Sequence, residues 1–145
     1  MNVTMLLADH AQVAAGKLFL SGVGWNLATS GPLGCGVGMI FELPWDLRGK
    51  RISFTVRLQN DQGQTVLQAG ALGETPVRVN GHFEVGTPAG ATPGDSLHAP
   101  VAFNAQLQLT PGRYEWHLEI DDDPSIASSL PFRIVEALPK GMEEQ

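Results

Sequence analysis

Four histidines, one cysteine and a run of three aspartates are the groups in this 145-residue sequence best able to do chemistry. His10, His82, His98 and His117 are scattered, and no two stand one residue apart as a cupin-type metal site would need. A three-ligand zinc centre is therefore not expected. Cys35 is alone, so an intrachain disulfide and a cysteine-based zinc site both lack partners. Lying between Gly34 and Gly36, it reads as a small buried apolar residue in a strand. No Gly-x-Ser-x-Gly elbow presents a serine nucleophile. The glycine-rich stretch from Gly31 to Gly38 lacks the Gly-Lys-Ser/Thr ending of a phosphate loop. The expectation is a protein that is not an enzyme, with no catalytic residues, no cofactor and no metal site.

Two features keep a binding role open. Asp121, Asp122 and Asp123 form the sharpest acidic cluster, and loops at the end of a β-sandwich can supply calcium with oxygen ligands. Asp9, Asp61 and Asp95 are the further carboxylates such a site would draw on, against the plainer reading of a polar turn before Pro124. Trp25 and Trp116 fall in phase with apolar neighbours and read as core. Trp45 follows Pro44 in a loop, where its ring could stack on a sugar, anchor a partner, or fold back to plug one end of the domain. A calcium- or carbohydrate-binding domain using its end loops is thus the alternative reading.

These groups must be held by strands. Seventeen glycines and ten prolines exclude a helical bundle. Tyr114, Trp116, Leu118 and Ile120 alternate with Glu115, His117, Glu119 and Asp121, the period-2 pattern of a strand with one buried face. Ile52 to Leu58, Val77 to Val85 and Val101 to Leu109 repeat it. Val3 to Ala8, Leu130 to Val135 and the apolar run Gly36 to Leu43 add three more strands. Lys17 to Ala28 reads as one further strand with a bulge at Gly22-Val23, and Asp9 to Ala15 as at most a helical turn. Asp61-Gln62-Gly63 and Thr110-Pro111-Gly112 mark tight turns, and Thr87 to Gly94 a longer loop.

Seven or eight short strands predict an all-β, two-sheet antiparallel sandwich, immunoglobulin-like with a jelly roll as the alternative. Tyr114, two residues before Trp116, fits a tyrosine corner. The domain should span residues 1–136, with a flexible acidic tail at 137–145. A net charge of −6 gives no phosphate-neutralising surface, so nucleic acid is not an expected partner. No apolar stretch is long enough to cross a bilayer, and no basic segment precedes the short apolar run at Val3 to Ala8, so a cytoplasmic location is expected.

Three segments, Ala8 to Trp25, Glu42 to Asp46 (ELPWD) and Pro111 to Asp121 (PGRYEWHLEID), together resemble a family of short bacterial proteins of unknown function. The resemblance runs from Val3 to Val135. It implies a stand-alone cytoplasmic β-domain and brings no catalytic or binding residues with it. The residues themselves favour a non-catalytic interaction module or subunit, meeting a protein partner or a second copy. Its expected contact face comprises the outward positions Gly36, Gly38 and Ile40 of the glycine-rich strand, with Trp45 beyond it.

Overall fold

The computed structural model describes residues 1–137, and among these the chain is all-β apart from one 3-10 turn at Trp45–Leu47. Its strands are β1 (Asn2–Ala8), β2 (His10–Ala14), β3 (Lys17–Ser21), β4 (Leu27–Thr29), β5 (Gly31–Leu43) and β6 (Arg51–Asn60). There follow β7 (Leu67–Gly70), β8 (Gly73–Pro76), β9 (Arg78–Glu84), β10 (Leu97–Leu109), β11 (Gly112–Ile120) and β12 (Asp123–Val135). A three-stranded sheet has the order β1-β5-β10 and a five-stranded sheet the order β4-β12-β11-β6-β9. Two hairpins, β2-β3 and β7-β8, form separate two-stranded sheets. Neighbours are antiparallel except β4, which runs parallel to β12.

Alternation sets the core. Trp116, Leu118 and Ile120 of β11, Ile52, Phe54, Val56 and Leu58 of β6, and Cys35, Val37, Met39, Phe41 and Leu43 of β5 are all buried. Each large side chain so removed from water contributes about 1.5–3 kcal/mol. Phe41 of the smaller sheet lies 5.3 Å from Phe54 and 4.7 Å from Phe83 of the larger one, and Phe103 meets Trp116 edge-on at 5.2 Å. The two larger sheets therefore share one apolar core. Tyr114 stacks on Phe132 and donates its hydroxyl to the Thr110 carbonyl at 2.8 Å.

Several elements differ from expectation. Asp9 to Ala15 is no helical turn: His10–Ala14 is a strand, paired with Lys17–Ser21 across Ala15 and Gly16, both at positive φ. The supposed bulged strand from Lys17 to Ala28 is two strands in two sheets. Gly22 and Gly24, at φ 65° and 103°, turn the chain away after Ser21 and deliver Leu27–Thr29 to the far edge of β12. The β7-β8 hairpin was not expected at all. β10 starts at Leu97 rather than Val101 and β12 at Asp123 rather than Leu130, so the strands are longer as well as more numerous. Of the expected tail, residues 138–145 lie outside the described ones.

Candidate functional site

β5 is central in its sheet, with one face toward the core. Its opposite face, expected to be open, is covered from within the chain. The β2-β3 hairpin lies over Gly36 and Gly38, both buried. A Cβ on Gly36 would come within 2.7 Å of the Ala11 nitrogen and the His10 carbonyl carbon, and one on Gly38 within 2.7 Å of Leu20 Cδ2. The glycines thus form a notch that accepts the hairpin backbone at a separation no side chain would permit. Asn104 on β10 completes the seat: Ala11 N–H donates to its Oδ1 at 2.9 Å, and its Nδ2 donates to the Ala11 carbonyl at 2.8 Å. Only Ile40, half-buried between Thr4 and Pro100 in the ladder, remains of the expected face. The correction is physical: glycines on a strand face invite a close neighbour, and the nearest available neighbour is the preceding hairpin.

Trp45 is also not a free loop ring. It opens the 3-10 turn, is half-buried against the core, and carries the Arg48 guanidinium 4.7 Å from its centroid. The three aspartates are not gathered either. Asp121 Oδ1 accepts from Thr55 Oγ1 at 2.8 Å, while Asp123 Oδ1 accepts from the Ser125 backbone and hydroxyl. Asp122 and Asp123 line a pocket of about 420 Å3 together with Lys50, Arg51, Met1, Ile52 and Ile120. Among the described residues no three His, Cys, Asp or Glu side chains form a metal-holding group.

Cys35 lies on the core face of β5, buried and without a disulfide partner. Burial pushes its thiol up to about 11, the Trp116 side chain opposing in part, so the sulfur stays neutral at physiological pH and is a poor nucleophile.

Alternation places His117 and Glu119 on one outward face; the structure adds their neighbours on β12 and β6. His117 on β11 faces Ser129 of β12, with Nδ1 and Oγ 3.2 Å apart, and its Nε2 lies 3.0 Å from Glu119 Oε1. Arg57 stands across the ladder from His117 and reaches Glu119 at 3.9 Å. A hydroxyl, an imidazole and a carboxylate in line can relay a proton. These sit on the outer face of the five-stranded sheet, and none of the three lines either of the two apolar-walled pockets.

Two features were missed, and both concern apolar surface. The β7-β8 hairpin projects from the body: Leu72 at its tip is 99% exposed, Leu67 is 51% exposed, and all of β8 is in solvent. It is tied down at its base by Gln68, whose Oε1 accepts from the Gln108 N–H at 3.0 Å and whose Nε2 donates to the Gln108 carbonyl at 3.3 Å. Near the other end of β10, a groove of about 480 Å3 opens between the two sheets, walled by Val13, Phe83, Val85, Pro88, Ala99 and Pro100.

A family model described as a family of unknown function (DUF6941) matches residues 3–135, nearly the whole chain, and the chain belongs to that family. No curated protein matches it. No helix among the described residues is long and apolar enough to cross a membrane.

Proposed function

For this member of a family whose role is unknown, we propose a non-catalytic protein-interaction module, acting as a subunit of an assembly in the cytoplasm. Its architecture we read as a sandwich of immunoglobulin-like character, the three- and five-stranded sheets being its layers. The aromatic contacts between the sheets and the Tyr114 to Thr110 hydrogen bond support that reading.

The observation that carries the interaction role is the bare Leu72. Single exposed leucines are ordinary on a flat surface. Leu72 is different in kind, since it sits at the tip of a projecting arm, with Leu67 at the arm's base also in the open. Folding gains nothing from Leu72 and covers only half of Leu67, whereas a partner that buries Leu72 gains about 1.5–3 kcal/mol from it.

Native mass spectrometry of the protein isolated from the cells that make it tests this. The expected particle is heavier than the 15.5 kDa chain, and Leu72→Asp returns it to that mass with the circular dichroism of the folded chain unchanged. A native mass that Leu72→Asp leaves unchanged would overturn the role given to the arm.

A further inference from the structure

The edge of β10 offers a more specific statement, one that rests on the interaction reading and names the partner. β10 ends the three-stranded sheet, so among the described residues one of its edges lies beside no other strand of that sheet. It runs from Leu97 to Leu109 without a single Asp, Glu, Lys or Arg. β9, which ends the larger sheet, carries Arg78 and Glu84 instead. Long uncharged edges are templates for further strand pairing unless something guards them.

Two positions on this edge are closed. Gln108 gives both of its backbone groups to the Gln68 side chain. Backbone groups alternate in direction along a strand, so residues an even number away turn theirs to the same side. Pro100 is one of these and has no N–H to offer. Between the closed positions lie Ala102, Asn104 and Gln106, symmetric about Asn104. The core-facing residues of the same stretch show a matching gap. Val101, Phe103 and Ala105 are only half-buried, whereas Leu97, Ala99, Leu107 and Leu109 on either side are buried.

We propose that a second copy of this chain closes the edge, the two β10 strands pairing antiparallel about a two-fold axis at Asn104. Ala102 then faces the partner's Gln106, and the strands part beyond these positions, where Gln68 fills the edge at Gln108 and Pro100 has no donor. Open positions meet open ones, with about six hydrogen bonds formed. Phe103 comes beside the partner's Ala105 on the core side.

Charge selects the same strip. Each copy carries −6, so two copies repel except where their surfaces are neutral, as β10 is. The register also leads toward the arm. Gln68 holds the arm at Gln108, and Gln108 lies just past the paired stretch, on the side of the partner's Pro100, a wall of the apolar groove. Leu67 and Leu72 of each copy are thereby brought toward the groove of the other.

Amide exchange of the full-length protein, read by NMR across a dilution series, tests the pairing together with sedimentation. The expected result is a dimer in which the Ala102, Asn104 and Gln106 amides are protected, losing protection as dilution gives monomer. Gln106→Pro removes one donor from each copy and should weaken the dimer by about tenfold or more, with the monomer's circular dichroism unchanged. A dimer whose three amides exchange freely would overturn this pairing while leaving the interaction reading in place. A monomer at every concentration would overturn it too. In that case the mass drop of Leu72→Asp in material from the cell still decides the interaction reading.

Discussion

The two hairpins that belong to neither large sheet are tied to β10 by the same device and end in opposite states. In each, a primary amide bridges a backbone N–H and C=O: Asn104 to Ala11 of β2, and Gln68 of β7 to Gln108. Yet Ala11 is buried while Leu72 is bare. The difference is the notch. Gly36 and Gly38 let the β2-β3 backbone settle on β5, and Leu18 and Leu20 pack down onto the strand. Nothing comparable lies beneath β7-β8, which keeps its apolar residues in the open. An amide tie fixes where a hairpin is attached, but the surface beneath it decides whether it joins the body or stays available to a partner.

Filling the notch should have the largest effect. Gly36→Val places side-chain atoms against the backbone of Ala11 and His10, which cannot give as a flexible side chain could. Denaturant titration should show a loss of about 3 kcal/mol, with the β2-β3 amides losing protection first. If the loss were small and the hairpin stayed protected, the notch would not be what seats it.

The opposite face of β5 can be read by pH. Folded Cys35 ionises near 11 against 9.0 for a free thiol, so its folded pKa is raised for an acid. The neutral form is therefore favoured by folding, and that stability is fully present below pH 9. It is lost as pH rises from 9 toward 11, by about 2 kcal/mol or somewhat more. Stability curves of the protein and of Cys35→Ala should diverge over that range only; parallel curves would place the thiol in water.

The two ties should then differ. Asn104→Ala leaves the Ala11 N–H and C=O covered and unpaired, and should cost about 2 kcal/mol in chemical denaturation. Gln68→Ala exposes Gln108 to water that replaces the lost bonds, and should cost under about 0.5 kcal/mol. Equal costs would remove the distinction between a seated hairpin and a projecting one.

What the sequence made legible follows from the same distinction. Strands with one buried face, such as Ile52 to Leu58 and Tyr114 to Ile120, announce themselves by alternation because water and core impose it. β8, Gly73–Pro76, has no buried face and so no period, and the arm was invisible. β2 was missed because its one buried residue is an alanine, too small to mark a phase. The glycines of β5 were read as an outward face, which is right, but composition cannot say which segment covers such a face. His117 and Ser129 meet only through the β11-β12 register, fixed by a hairpin whose turn falls at Asp121 and Asp122 with a register shift after Glu119.

The claim that one hairpin belongs to the fold and the other to a partner is tested most directly by photo-crosslinking. A photoreactive residue is placed at position 72 on the arm, or at exposed position 12 on β2, in the full-length protein in its own cells. A discrete adduct of one mass from position 72, with none from position 12, is the predicted result. No adduct from position 72, or the same adducts from both positions, would contradict it.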